Sequence, residues 1–148
     1  MDILHSVPIK TTPEHLFEAI TTEAGLAAWW TPDTSAEPRV GGLNTFGFGP
    51  GLSATFRVDV LEPQRHVAWS AMKTPPIWEG TGISFSIAPG DGAVALRFSH
   101  TGYANDEPSF GLYNYLWAQY IRSLKLLLET GTGEPFGSPG SNAAHPLP

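Results

Sequence analysis

The chain has 148 residues, a length that suits one domain with a sizeable core, and its apolar fraction of 41% sets it apart from disordered chains. A net charge of −6, with eight Lys and Arg scattered singly, argues against nucleic acid or an anionic membrane as partner. The absence of cysteine excludes disulfides, thiolate metal sites and a cysteine nucleophile, and it suits a reducing compartment.

The N-terminus MDILHSVPIK has no charged segment leading into an apolar run, so it does not read as a signal peptide. No apolar segment reaches the ~18 residues of a membrane span. The expectation is a cytoplasmic protein without a membrane span. Ile3, His5, Val7 and Ile9 alternate with Asp2, Leu4, Ser6 and Pro8, which predicts a first strand that Pro8 confines to a sheet edge or a strand end. Thr12-Pro13-Glu14 then gives a cap followed by proline in the first helical turn, and Leu16, Phe17 and Ile20 form an apolar stripe. A second short helix is predicted from Thr22 through Leu26 to Trp29 and Trp30, ending before Pro32. Neither helix is long enough to be stable alone, so both must pack on something larger.

From Pro32 to Gly102 the period becomes two. Asn44, Phe46 and Phe48 share one face, then Phe56, Val58 and Val60, then Val67, Trp69 and Ala71. Thr81, Ile83, Phe85 and Ile87 follow, and after the hairpin signal Asp91-Gly92 come Val94, Leu96, Phe98 and His100. Pro63, Pro75-Pro76 and Pro89-Gly90 separate the runs. An antiparallel meander is expected, with one face buried and one wet.

Pro108 to Thr130, PSFGLYNYLWAQYIRSLKLLLET, is the longest helical pattern. Asp106 is the expected cap, Pro108 suits the first turn, and Gly131 sits where a left-handed residue would stop the helix. Tyr113, Leu116, Trp117, Tyr120, Leu124 and Leu127 make a wide apolar face; Asn114, Ala118, Arg122, Lys125 and Glu129 make the polar stripe. A one-faced sheet and a helix of this kind cover each other. The expected architecture is α+β, a curved antiparallel sheet of about six or seven strands around the long C-terminal helix, with two short helices after the first strand. The domain is expected to span residues 1–136, with a disordered tail over 137–148 that is rich in Gly, Pro, Ser and Asn.

Four stretches carry a family resemblance: Thr12 to Ile20 (TPEHLFEAI), Gly25 to Trp30 (GLAAWW), Leu96 to Tyr103 (LRFSHTGY) and Ser123 to Gly131 (SLKLLLETG) with the trailing Gly133-Glu134-Pro135-Phe136. Together with the element order they resemble the START-like, or SRPBCC, superfamily with its helix-grip fold. More narrowly they resemble the branch related to the C-terminal domain of the activator of heat-shock-protein ATPase. The resemblance implies a hydrophobic cavity between sheet and helix, and ligands such as lipids, sterols, polyketides or plant hormones. The stretch Thr31 to Pro50, rich in proline and glycine, departs from the family pattern.

On this basis the residues expected to line a ligand are Phe56, Trp69, Phe85, Phe98 and His100 from the sheet, with Tyr113, Trp117 and Tyr120 from the helix. His100 shares its parity with Phe98 and could serve a ligand or move a proton; equally, it could be a core histidine satisfied by a neighbouring hydroxyl or backbone group. Glu79 is in step with Thr81 and could reach the cavity mouth, or be a solvated acid at a strand end. Trp29 and Trp30 read as packing residues that close one end. The five histidines, His5, His15, His66, His100 and His145, show no metal spacing, and no cofactor motif is present. Neither Gly41-Gly42 nor Gly47-Phe48-Gly49 forms a nucleotide cradle.

The leading expectation is a monomer or homodimer that binds a hydrophobic small molecule, lipid-like or aromatic. A cyclase or dehydratase is the second reading, and a co-chaperone-like interaction domain the third; against the last, the additional N-terminal domain of such co-chaperones is not in this sequence. The first two require a cavity of at least ~300 Å³.

Overall fold

In the computed structural model, residues 1–105, 108–139 and 141 are described. Strand β1 (Ile3–Ile9) is followed by helices α1 (Pro13–Thr21) and α2 (Glu23–Trp29). Six strands come next: β2 (Thr34–Ser35), β3 (Leu43–Gly47), β4 (Ser53–Glu62), β5 (His66–Lys73), β6 (Gly82–Pro89) and β7 (Val94–Thr101). Helix α3 (Ser109–Thr130) closes the order. All strand pairs are antiparallel, in the order β1-β7-β6-β5-β4-β3-β2, so the first strand returns beside the last. This is the helix-grip α+β architecture.

Local chemistry sets the elements. The Thr12 hydroxyl accepts from the His15 amide at 3.2 Å and caps α1. Thr22 ends α1 and caps α2, accepting from the Gly25 amide at 3.0 Å. A Cβ on Gly25 would sit 2.7 Å from the Ala19 Cα, so glycine lets the two helices meet. Gly131, at φ 91°, ends α3 in the left-handed region, its amide bonded to the Leu127 carbonyl at 2.9 Å. At the other end Pro108 itself is the cap residue and offers no side-chain bond; the expected cap, Asp106, lies outside the described residues.

β1 is an edge strand, as Pro8 requires. In β4 the expected alternation fails after Val58. A register shift between Val58 and Val60 leaves Asp59 without a partner, pairs Leu61 with the buried Val67, and so puts Leu61 against the core in place of Val60. The departure from pattern in residues 31–50 resolves into the two-residue β2 and the five-residue β3.

After α3 the chain turns back over α2. The Phe136 amide donates to the Trp30 carbonyl at 2.7 Å, and the Phe136 ring meets Phe48 edge-on at 5.6 Å. Of the expected tail, residues 137–139 and 141 are described and form turns; the rest, His145 included, lies outside the described residues.

Candidate functional site

The space between sheet and α3 is packed with rings. Trp30, at the end of α2, is 4.2 Å from Phe46 and 4.9 Å from Trp117, centroid to centroid. Trp117 in turn lies 4.4 Å from Phe98, and Phe85 lies 5.3 Å from both Trp69 and Phe98. Phe56, Trp69, Phe85, Phe98, His100, Tyr113, Trp117 and Tyr120 are all buried and all face this space. Parity placed them on the correct side.

Their rings leave almost no room. A void of about 10 Å³ remains, lined by Trp30, Trp78, Tyr113, Leu116, Trp117 and Tyr120. That is near the minimum for one water and far below an ordinary ligand cavity. Among the described residues, the rings between sheet and α3 thus fill the place where the family resemblance implies a cavity.

Sequence reasoning missed one of the walls. Trp78 lies on a three-residue 3-10 turn, Pro76–Trp78, in the proline-rich connection between β5 and β6. It is buried, 5.3 Å from Tyr113 and 6.5 Å from Trp30. Pro75-Pro76 read as a breaker, so its indole was assigned to no face. The available signal was a tryptophan two residues after a pair of prolines, because a large apolar ring on a stiff turn needs somewhere to go. Trp30, expected to close one end, stands instead at the centre of the aromatic cluster.

His100 is the polar centre of this interior, and its tautomer follows from its neighbours. The Trp117 indole can only donate, and it donates to His100 Nδ1 at 3.0 Å. Nδ1 therefore carries the lone pair, and the Tyr103 hydroxyl, 2.8 Å away, donates to the same atom. The proton sits on Nε2, which donates to the Thr81 hydroxyl at 2.8 Å. Thr81 passes its own proton to the Trp78 carbonyl at 2.7 Å. The chain of donors runs from α3 through β7 and Thr81, just before β6, to the Trp78 turn. Burial lowers the His100 pKa to about 3, so the ring is neutral at physiological pH. Burial likewise pushes Tyr113 up to about 12 and raises Tyr103 and Tyr120.

The arrangement suits structure better than proton transfer. Both imidazole nitrogens are occupied, and among the described residues no carboxylate is bonded to the ring. Glu79 is exposed and does not reach this interior. Among the described residues no group of three His, Asp or Glu could hold a metal ion.

The C-terminal half of α3 has a different character. The Ser123 hydroxyl donates to the Trp29 carbonyl at 2.8 Å and accepts from the Glu134 amide at 2.7 Å. Lys125 donates to the Pro8 carbonyl at 2.6 Å, and Arg122 pairs with Glu134 at 2.6 Å. Ser123 was not singled out in the sequence, where one serine on an apolar face carries no signal.

A seven-stranded antiparallel sheet that closes on a long C-terminal helix through an aromatic interior defines a START-like domain of the SRPBCC superfamily. Within it, the family model described as activator of Hsp90 ATPase homolog 1-like protein matches residues 10–129, and the chain belongs to that family. It is similar to a solved structure, the Aha1 dimer from Colwellia psychrerythraea, at 34% identity with a TM-score of 0.82, covering 90% of this chain and 99% of that one. Protein MLL2253 from Mesorhizobium loti shares the fold at 21% identity and TM-score 0.76, covering 86% of this chain and 96% of the other. DynU16, a putative protein in the dynemicin biosynthetic locus, does so at 21% identity and TM-score 0.76, covering 89% of this chain and 48% of its own. No curated protein sequence matches the chain. No helix among the described residues is long and apolar enough to cross a membrane.

Proposed function

We propose that this domain binds a hydrophobic small molecule between sheet and α3, in an opened form in which Trp78 has moved aside. One observation carries the reading: the residual void lies between α3, the end of α2 and the Trp78 turn, and one of its walls is an indole on a short turn rather than a strand of the sheet. The turn is held largely by its own bonds, Trp78 to Pro75 at 3.0 Å, Glu79 to Pro76 at 3.2 Å and Thr81 to Trp78 at 3.1 Å. Beyond these, an opened form gives up the Thr81 hydroxyl bond to the Trp78 carbonyl at 2.7 Å and the ring contacts of Trp78 with Phe56, His100 and Tyr113. Facing the turn is the N-terminal end of α3, whose Tyr113 ring lies 5.3 Å from the Trp78 ring. The closed state is then the resting state, and ligand affinity is reduced by the rarity of the open one. The eight residues Phe56, Trp69, Phe85, Phe98, His100, Tyr113, Trp117 and Tyr120 are proposed as walls of the opened site, with Trp30 and Trp78 added to them. His100 fixes the neighbouring elements through its neutral ring and is not assigned a proton-transfer step.

Native mass spectrometry of the protein purified from its host, beside Trp78→Ala, tests this. A co-purifying hydrophobic molecule, more abundant in the variant, supports the reading. Empty spectra for both, with no uptake of added hydrophobic probes, overturn it. We place the protein in the cytoplasm on sequence grounds, and the dimer of the Colwellia relative is the precedent for a homodimer.

A second reading is favoured by the filled interior together with the family match: the domain acts through its surface on an Hsp90-type ATPase. A change in the ATPase rate of Hsp90 on adding this protein, unaltered by Trp78→Ala, would support it; an unchanged rate at saturating protein would remove it.

A further inference from the structure

The interior carries a second message about what it could hold. Among the described residues no Asp, Glu, Lys or Arg is buried. The three that are half-buried are already engaged on the outside of the fold: Asp59 with Ser70 and Arg57, Lys125 with Pro8 and Glu129, and Glu134 with Arg122. The polar atoms of His100 and Thr81 are committed to one another and to Tyr103, Trp117 and Trp78. An ionised carboxylate or ammonium entering this space would therefore leave water without meeting an opposite charge among the described residues, which is among the costliest transfers in a protein.

Shape adds a second restriction. Five of the six residues around the void are aromatic, and Leu116 is the single aliphatic one. Ring faces and edges favour a planar π system, which they can stack on or meet edge-on, over a flexible chain that must be ordered to fit. Moving one indole aside frees a space of the order that holds a small ring; an apolar cavity of ~150 Å³ accepts benzene.

We infer that the occupant of this interior is an uncharged, flat aromatic molecule of one or two fused rings, rather than a fatty acid or another ionised lipid. This rests on the ligand-binding reading above. Neutral and charged probes of the same shape separate the two. Isothermal titration of the full chain and of Trp78→Ala would use 2-acetylnaphthalene, 2-naphthoate and 1-decanol. The ketone binds both proteins, and the variant more tightly. At neutral pH the naphthoate binds at least ~100-fold more weakly than the ketone, and decanol at least ~10-fold more weakly. Naphthoate or decanol binding as tightly as the ketone overturns the inference while the ligand-binding reading stands. If none of the three binds either protein, both fall. Should Trp78→Ala fail to fold, the same ranking on the unaltered chain decides.

Discussion

The two halves of α3 are held by different physics. From Ser123 onward the helix is fixed by directional bonds to three separate parts of the chain: α2 through the Trp29 carbonyl, β1 through the Pro8 carbonyl, and residues 132–136 through Glu134. From Ser109 to Tyr120 the contacts described include rings against rings, Trp117 on Trp30 and Tyr113 on Trp78, together with the Trp117 indole N–H donated to His100. Hydrogen bonds break abruptly with displacement, whereas ring contacts tolerate sliding and reorientation. The C-terminal half is thus an anchor. The N-terminal half is the part of the grip that the proposed opening would displace.

The largest expected effect that separates them is on the anchor. Leu124 is fully buried, and Leu124→Ala should cost ~2–5 kcal/mol in urea unfolding through lost burial and a residual cavity. Uptake of 2-acetylnaphthalene by the folded fraction should stay unchanged. An altered ligand affinity would mean that the halves are coupled more tightly than their contacts indicate.

The polar centre beside the N-terminal half gives the next effect. The folded-state pKa of His100 is depressed to about 3, whereas an unfolded chain titrates near ~6.5. As pH falls the unfolded state takes up the proton first. Stability is therefore fully present above ~6.5, declines below it by up to ~1.4 kcal/mol per pH unit, and levels off near 3. Between pH 7 and pH 5 the loss from this group should be ~2 kcal/mol. His100→Gln can still donate to Thr81 and accept from Trp117, and it should abolish this slope. A slope of the same size in the variant would assign it to other groups.

A comparable effect is expected at Ser123. Removing its hydroxyl leaves the Trp29 carbonyl and the Glu134 amide without their partner, and Ser123→Ala should cost ~1–3 kcal/mol. Amide exchange should rise at Glu134 and Phe136 and stay unchanged at Trp78. Faster exchange at Trp78 would contradict the division of the helix.

The legibility of these regions differed for physical reasons. Period-two alternation made the inward faces of β5, β6 and β7 readable, because each side chain on a regular strand has one of two directions. The anchor half of α3 was readable through Leu124 and Gly131, where apolar spacing and a stop signal agree. Val60 failed because the bulge at Asp59 reverses the faces, and a bulge leaves no trace in a hydrophobic pattern. Trp78 failed because its direction is set by a turn, not by a period. Whether the interior would be open or filled was not readable at all. Apolar residues on a strand or helix face have the same pattern whether they meet one another or a ligand, and only the three-dimensional fit of Trp30, Trp78 and Trp117 closes the space.

The central claim is that a closed aromatic interior opens on the Trp78 side to take in a small molecule. Nuclear magnetic resonance of the tryptophan indole N–H groups during titration with 2-acetylnaphthalene tests it most directly. The account predicts saturable shifts at Trp78, Trp30 and Trp117, with the amides of Leu124 to Leu128 unmoved. An absence of indole shifts at saturating probe, or shifts confined to the outer face of the sheet, would contradict it.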